Sequence, residues 1–463
     1  MNIQFLYPEI ILFLFSLLAL MAGVTPSLRK FAGFLGFIGL LAALNVLPAA
    51  SFSQTKAFFG FFEADGISAV FRMIILMGAA FIVLLSLDQK QILEEDTGEY
   101  YFFILCLAIS MMLAVSSGNL MMIYIAVEAT SIISYILIAF FKHDSFSSEA
   151  GLKYFLFGAL STGIMLYGIS LIYGMTGSLN ISAVSQALQA GHYHQPAFIL
   201  ALVFILAGLS FKCSLAPFYM AAPDAYQGAP TPVSIFLSIG PKAMGFALLV
   251  RVFFNYSAGM AVHWTMLTQV LAVITMTAGN LIALKQTNVK RLLAYSSIAH
   301  AGFMLMALTV ANGDGLRALV FYLFIYVFMN VGAFGAVILC RREEVGQYAG
   351  LSRKNPLAAM IMAVSLLSLA GLPPLAGFMA KFVVIALIVK SKMYVLAIIA
   401  VMNSVVALFY YLRIVKTMYL SREDVILPVD TSAILILTLL LTVVINIFLG
   451  LWPQVLMPHL NFF

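Results

Sequence analysis

The sequence predicts an all-α protein that crosses a membrane about 14 times. Of its 463 residues, 63% are hydrophobic and only 9% are charged, whereas a soluble domain carries roughly a quarter charged residues. Apolar stretches near 20 residues follow one another along the chain, and a helix of ~20 apolar residues crosses the ~30 Å hydrocarbon core of a bilayer. These two observations indicate a polytopic helical membrane protein.

Each predicted span is an apolar run bounded by charged residues, prolines or glycines. The boundaries follow from that pattern alone. The spans cover residues 5–23, 31–47, 66–87, 100–117, 119–141, 151–174, 196–219, 229–254, 264–284, 291–311, 315–340, 356–389, 393–419 and 431–451.

Two of these spans are predicted to be broken helices. The twelfth is too long for one straight crossing and contains Leu372-Pro373-Pro374, and the seventh carries Pro217 inside its apolar run. Proline removes a backbone donor and breaks or kinks a helix. Broken helices at corresponding positions of two halves are typical of transporters built from inverted repeats. The alternative is that each proline only kinks its helix.

The broken helices lie five spans apart, which predicts two inverted five-helix repeats, helices 4–8 (100–254) and helices 9–13 (264–419). Both belong to one membrane domain, together with helices 1–3 (1–99) and a last helix and tail (431–463). Ala207-Gly208-Leu209 is weakly echoed by Ala370-Gly371-Leu372. This echo agrees with an internal repeat.

Lysine and arginine predict the orientation. Fifteen of the 24 fall in odd-numbered loops or at the adjoining span ends, five in even-numbered loops or at their span ends, and four deeper within spans. Because positively charged loops stay on the cytoplasmic side, both termini are expected in the periplasm of a bacterial inner membrane. The N-terminal segment has no positively charged region, so it is interpreted as a retained first span. A short interfacial helix is expected within residues 176–195.

The sequence lacks the motifs of several other classes of site. Cys106, Cys213 and Cys340 lie far apart in apolar segments, whereas an iron–sulfur cluster needs about four thiolates in a defined array. They are interpreted as small buried hydrophobic residues. There is no glycine-rich phosphate loop, and no basic stretch has the density of a nucleic-acid site. No cofactor on this chain and no nucleic-acid partner are expected.

Four ionisable residues lie deep within apolar spans: Glu128, Lys212, Lys242 and Lys381. A charge at this depth costs at least ~2.5 kcal/mol, so such residues usually face the interior of a helix bundle and mark an ion or proton path. Glu128 is the only acidic residue deep in a span, and Lys212 is its expected partner. The alternative is a static ion pair that locks two helices.

The three lysines share a setting next to a proline. Lys212 precedes the break in the seventh span, Lys242 directly follows Pro241, and Lys381 follows the break in the twelfth. Burial makes a lysine able to release and accept a proton. For Lys381, the alternative is a lysine that anchors a half-helix at the membrane interface.

His300 lies near the middle of the tenth span, with Ser296 and Ser297 one turn before it. Imidazole exchanges protons near neutral pH, which suits a relay. The alternative is a core histidine whose hydrogen bonds are satisfied by a serine. Together these residues predict a row of proton-exchanging groups on helices 5, 7, 8, 10 and 12, with the driving force supplied by other chains.

Four long stretches carry a resemblance to a known family: GNLMMIYIAVEATSIISYILIAF (118–140), PDAYQGAPTPVSIFL (223–237), KRLLAYSSIAHAGF (290–303) and SLAGLPPLAGFMAKF (368–382). They resemble the antiporter-like subunits of respiratory complex I, the proton-translocating NADH:quinone oxidoreductase. Lysine at 381 and an end soon after Trp452-Pro453 are more similar to the subunit N branch than to subunits M and L.

The resemblance implies roles for individual residues: a coupled pair Glu128 and Lys212, a bridging Lys242, a relay at His300, a terminal Lys381, and a second acidic position at Glu149. It implies other membrane-arm subunits as partners, including other antiporter-like subunits, within the lipid bilayer. Flavin and iron–sulfur clusters are expected on partner subunits, and quinone at a distant site.

The predicted function is therefore proton translocation coupled to quinone reduction elsewhere in a complex. One alternative is a subunit of a multisubunit cation/proton antiporter, which shares the glutamate–lysine pair and the broken helices. A sodium site would be expected to add acidic positions inside the spans, where only Glu128 is found. A second alternative is a membrane scaffold whose charges only lock helices together.

Overall fold

The structure, a computed structural model, describes residues 3–51, 55–89, 92, 96–190, 195–254, 261–421, 429 and 432–456. These residues are mostly helical. The helices are α1 Tyr7–Val24, α2 Ala32–Ser51, α3 Gly66–Ser86, α4 Thr97–Val115, α5 Leu120–Ile138, α6 Ser145–Thr176, α7 Ile181–Gln189, α8 Gln195–Cys213, α9 Ala222–Gly228, α10 Thr231–Leu249, α11 Ala261–Ala283, α12 Val289–Leu308, α13 Gly313–Cys340, α14 Leu351–Lys354, α15 Pro356–Ala370, α16 Ala376–Lys390, α17 Tyr394–Leu420 and α18 Ala433–Leu451.

A small antiparallel hairpin joins α2 to α3. Its strands are β1 Thr55–Ala57 and β2 Phe62–Ala64, with Lys56 opposite Glu63. The N-terminus of α3 is capped by Asp65, whose side chain accepts a hydrogen bond from the Ser68 N–H. Asparagine caps serve the same purpose at α5 and α12, because they satisfy backbone donors that a helix leaves free at its start.

Among the described residues, thirteen helical segments are long and apolar enough to cross a membrane. The one remaining predicted span, the twelfth, is divided into two half-helices, α15 and α16, of 15 residues each. The predicted architecture of about 14 spans, with breaks in the seventh and the twelfth, is thus confirmed. The seventh span ends at Cys213, earlier than predicted, and α7 is the short helix expected within residues 176–195.

The chain forms two compact units. The first is Met1–Ala221 with Gly240–Trp264, and the second is Ala222–Ile239 with Thr265–Phe463. The first unit contains α1–α8 and the second part of α10; the second contains α9, the first part of α10, most of α11, and α12–α18. The division into two five-helix repeats with flanking helices stays a prediction.

Each unit contains closely packed helices. In the first, α1 crosses α4 at two glycines: a Cβ on Gly23 would lie 2.1 Å from the Gly98 Cα. Small residues let helix backbones approach within a membrane. In the second, α13 is the central helix and packs against α12, α15, α16 and α18. Almost all of its side chains are buried.

The two helix breaks have the same backbone arrangement. Ser214 follows α8 with φ 57°, and Gly371 follows α15 with φ 87°. The next residue donates its N–H to the carbonyl five residues back, from Leu215 to Ser210 at 2.8 Å and from Leu372 to Leu367 at 3.1 Å. A left-handed residue followed by this bond is the Schellman motif, which ends a helix.

This arrangement pairs residues 214–217 with residues 371–374. The Ala216-Pro217 and Pro373-Pro374 peptide bonds are both cis. The Ala-Gly-Leu echo noted in the sequence does not mark equivalent positions, because Gly208 lies inside α8 whereas Gly371 is the residue at the break. Backbone geometry, and not the repeated tripeptide, identifies the corresponding positions.

Candidate functional site

Lys212 lies in the last turn of α8, next to the break. Its side chain is 2% exposed, and Nζ donates to the Ser131 Oγ on α5 at 2.6 Å. Ser131 in turn donates to the carbonyl of Val127, one turn back on its own helix. A cation in the last turn also interacts favourably with the negative end of the helix dipole. The direct hydrogen-bond partner of the Lys212 ammonium is thus a neutral hydroxyl group, that of Ser131.

Glu128 lies three residues before Ser131, on the same face of α5. Its side chain is half-buried. Within the described part of the chain it makes no direct ion pair with Lys212, and it acts on that ammonium electrostatically from farther away. The predicted partners are brought to one site, with Ser131 as the direct contact, so the alternative of a locked ion pair is not what the structure shows.

Lys242 is fully buried on α10, directly after Pro241. One turn later on the same helix, a Cβ on Gly245 would lie 3.4 Å from the Lys212 Cβ. The close approach of α8 and α10 depends on Gly245, since a Cβ there would lie 2.5 Å from the Cys213 Sγ. The first unit therefore brings Lys242 to the end of α8 that carries Lys212.

Glu149 is placed apart from these residues. It lies in the first turns of α6, and its Oε1 is 2.7 Å from the Nζ of Lys153, one turn later. The side chain is 60% exposed. A surface ion pair of this kind contributes little to stability. The role that the resemblance implies for Glu149 stays a prediction.

In the second unit, His300 lies between two tyrosines. Its Nδ1 is 2.7 Å from the Tyr322 hydroxyl and its Nε2 is 3.4 Å from the Tyr411 hydroxyl. Tyr411 also shares a hydrogen bond with Ser296, so one of the two serines noted in the sequence reaches the histidine through a tyrosine. Both ring nitrogens have a hydroxyl partner that can donate or accept, as a proton relay requires.

Lys381 turns from α16 back across the break. Its Nζ donates to the carbonyl of Ala370, the last residue of α15, at 2.9 Å and to the Ser404 Oγ at 3.2 Å. The ammonium also lies 5.2 Å from the centre of the Phe303 ring, and the side chain is buried. The lysine does fix a half-helix, as the alternative proposed, but it does so from a buried position inside the unit.

Sequence reasoning missed several partners of these groups. Four of these partners could not be recognised in the sequence, because hydroxyl residues are common in membrane helices. Only their contacts in the folded chain distinguish them: Ser131, Ser404, Tyr322 and Tyr411. It also counted Lys290 as a loop residue, yet its side chain is 4% exposed and bonds the Ala229 carbonyl at 2.9 Å.

The sequence analysis also missed a buried ion pair in the first unit. Glu9 on α1 pairs with Arg72 on α3, and Arg72 also donates to the carbonyl of Phe5. The sequence placed Glu9 at a span end, although it is 5% exposed. Among the described residues, no group of three or more His, Cys, Asp or Glu side chains comes together as metal ligands would.

The family is decided by a match that spans the site. A family model described as "NADH:quinone oxidoreductase/Mrp antiporter, TM" matches residues 117–407. The chain belongs to this family. The match includes the five candidate residues that lie within the predicted spans: Glu128, Lys212, Lys242, His300 and Lys381.

Relatives in this NADH:quinone oxidoreductase/Mrp antiporter family are similar over most of their length. "NADH-quinone oxidoreductase subunit N 2" of Sorangium cellulosum is 41% identical over 453 residues, which cover 91% of this chain and 89% of the relative. "NADH-quinone oxidoreductase subunit N" of Desulforamulus reducens is 37% identical over 458 residues, which cover 98% and 96%.

Solved structures agree. A chain of respiratory complex I from Thermus thermophilus with bound aureothin has a TM-score of 0.83 at 35% identity, and the match covers 98% of this chain and 99% of that one. A chain of the Mrp complex from Dietzia sp. has a TM-score of 0.82 at 22% identity, covering 100% and 97%. The second match shows that this chain has the same fold as a chain of an Mrp complex.

Proposed function

We propose that this chain is a proton-translocating subunit in the membrane arm of an NADH:quinone oxidoreductase. Its membership of the family and its relatives named subunit N support this assignment. In this proposal the chain moves protons as part of a translocase. Redox chemistry, with flavin, iron–sulfur clusters and quinone, takes place on partner subunits.

The observation that carries the proposal is the way two buried lysines are held. Of the described residues, only neutral oxygens bond the two ammonium groups: Ser131 for Lys212, and Ala370 and Ser404 for Lys381. When a lysine locked to a carboxylate loses its proton, a buried charge is left unpaired, which costs about 3–5 kcal/mol. These two lysines avoid that cost, so both can alternate between charged and neutral forms.

The proposal assigns proton transfer to Glu128, Lys212, Lys242, His300 and Lys381, and keeps Glu149 as a second acidic position at the exposed end of α6. The neighbours are other membrane-arm subunits, including other antiporter-like subunits. The location is a bacterial inner membrane with both termini in the periplasm, as the distribution of lysine and arginine predicts.

The test replaces Lys212 or Lys381 by alanine in the complete complex, in native membranes. Because a positioned proton carrier contributes a factor of at least about 10², we expect proton pumping and NADH:quinone electron transfer to fall together. Assembly is checked on native gels. Unchanged rates in both variants, with the complex assembled, would contradict the proposal.

A matched control is available on the same half-helix as Lys381. Lys390, whose side chain is 76% exposed, lies 3.4 Å from Asp314 in a surface ion pair. Such pairs contribute about 0–1 kcal/mol. Lys390→Ala should therefore pump protons at the wild-type rate.

A cation/proton antiporter is the second candidate, because the family description includes Mrp antiporters. The two functions differ in what drives proton movement. Proton pumping by membrane vesicles that oxidise NADH is measured in sodium-free buffer and again with added sodium. Pumping without sodium supports the first function, whereas an absolute requirement for sodium supports the second.

A further inference from the structure

Two buried asparagines in the second unit form a hydrogen-bonded pair that the sequence analysis did not single out. Asn280 on α11 is fully buried. Its Nδ2 donates to the Asn403 Oδ1 on α17 at 3.0 Å and to the Asn403 carbonyl at 3.1 Å. Its Oδ1 accepts from the Tyr410 hydroxyl at 3.0 Å. The amide nitrogen and the amide oxygen of Asn280 therefore both have partners.

Asn403 is satisfied in the same way. Its Nδ2 donates to the Thr277 Oγ1 at 3.1 Å and to the Ile399 carbonyl at 3.0 Å, while its Oδ1 accepts from Asn280. Fully satisfied buried polar networks specify one arrangement, because any shift leaves a buried polar group without a partner. The Asn280–Asn403 pair therefore fixes the position of α17 along α11.

Ser404 connects the position of α17 to Lys381. Successive residues of an α-helix point about 100° apart, so that Asn403 faces α11 while its neighbour Ser404 faces the break. The Ser404 Oγ accepts from the Lys381 Nζ at 3.2 Å and lies 3.4 Å from the Ala370 carbonyl that the same lysine bonds. A slip of α17 along α11 would withdraw this hydroxyl from the ammonium.

We propose that Asn280 and Asn403 are positioning residues for proton transfer at Lys381: by locking α17 to α11 they keep the Ser404 hydroxyl on the lysine. The inference rests on the proposed function and deepens it. Neither asparagine has to carry a proton, which suits an amide side chain, since amides do not titrate in the accessible range.

The test is a double-mutant cycle in the assembled complex. Asn403→Ala and Ser404→Ala are made singly and together, and the rate of proton pumping per assembled complex is measured. Each single variant should lower the pumping rate about two- to tenfold, the factor that corresponds to the free energy of one lost hydrogen bond. If Asn403 acts through Ser404, the double variant should pump no worse than Ser404→Ala alone. Losses that multiply, or wild-type pumping in Asn403→Ala, would overturn the inference.

Two further variants separate positioning from general destabilisation. Ser404→Thr keeps the hydroxyl and should restore pumping, which a purely structural defect would not predict. Asn330→Ala removes a buried asparagine whose Nδ2 donates to the Tyr326 carbonyl of its own helix, and its pumping rate per assembled complex should match wild type. If Asn403→Ala fails to assemble, Thr277→Val removes the hydroxyl that accepts from the Asn403 Nδ2 and should lower pumping about twofold. Wild-type pumping in Thr277→Val would then overturn the inference.

The two proposals can fail separately. If Lys381→Ala abolishes pumping while every variant of the asparagine pair pumps like wild type, the positioning role is wrong and the proposed function stands. If Lys381→Ala itself pumps like wild type, the positioning role is wrong, and if Lys212→Ala does so as well, the proposed function is wrong with it.

Discussion

Lys381 lies with its ammonium 2.9 Å from the carbonyl oxygen of Ala370, the last residue of the half-helix α15. That carbonyl is one of those that a helix leaves without an internal partner at its end, where the helix dipole is negative. The lysine reaches it from the other half-helix, α16. A single side chain thus joins the two sides of the break, at a place where an ionisable group meets a backbone carbonyl that the helix leaves free.

Gly371→Ala should disturb this contact directly. Gly371 has φ 87°, and a Cβ there would lie 2.9 Å from the Lys381 Cδ. A left-handed conformation costs about 1–2 kcal/mol for a residue with a Cβ. We expect a lower midpoint in thermal denaturation of the purified complex and slower proton pumping.

Gly163→Ala is the matched control for that substitution, since Gly163 lies within α6 and a Cβ there meets no atom within 4 Å. Alanine favours a helix over glycine by about 1 kcal/mol, so this variant should be as stable as wild type or slightly more. Equal behaviour of the two variants would show that the geometry at the break is unimportant.

Ser131→Ala removes the hydroxyl that accepts from Lys212. We expect pumping to fall about two- to tenfold, because a buried ammonium loses its direct partner. Ser134→Ala is the control one turn along the same helix, where the hydroxyl donates only to the Thr130 carbonyl. Vesicle pumping assays compare the two. A similar loss in both, or in neither, would remove Ser131 from the site.

Tyr322→Phe and Tyr411→Phe each delete one hydroxyl beside His300. If the histidine relays protons through its two ring nitrogens, each variant should slow pumping while the complex still assembles. Tyr101→Phe serves as the control, because the buried Tyr101 hydroxyl has no hydrogen-bond partner among the described residues. If Tyr322→Phe and Tyr411→Phe both pump at the wild-type rate, His300 is a structural residue and not a proton relay.

Arg72→Met should damage folding instead of catalysis. Removing one partner of a buried ion pair costs about 3–5 kcal/mol, because the Glu9 carboxylate is left uncompensated. We expect little assembled complex on native gels, and substantial recovery when Glu9→Gln is added. Pumping per assembled complex should stay at the wild-type value in the double variant. A pumping defect there would place this pair in the proton path.

Hydropathy and rarity of charge were enough to predict the architecture. A chain in lipid must satisfy its backbone hydrogen bonds within each span, so the number of spans and the two breaks follow from run length and proline. The buried lysines stand out because so few charges occur inside spans. The neighbourhood of Glu128 and Lys212 was predicted in the same way, although their direct contact was not found.

The exact partners were decided by the tertiary structure alone. Lys290 looked like a loop residue and Glu9 like an end-of-span residue, and only packing shows that they are buried. The Asn280–Asn403 pair and the contact of Tyr411 with His300 join residues that are 123 and 111 positions apart in the chain. No local pattern encodes such contacts, because they depend on how far each helix is shifted and rotated against its neighbours. The sequence by itself determined which charges lie in the membrane, and the packing of the helices determined what each of them touches.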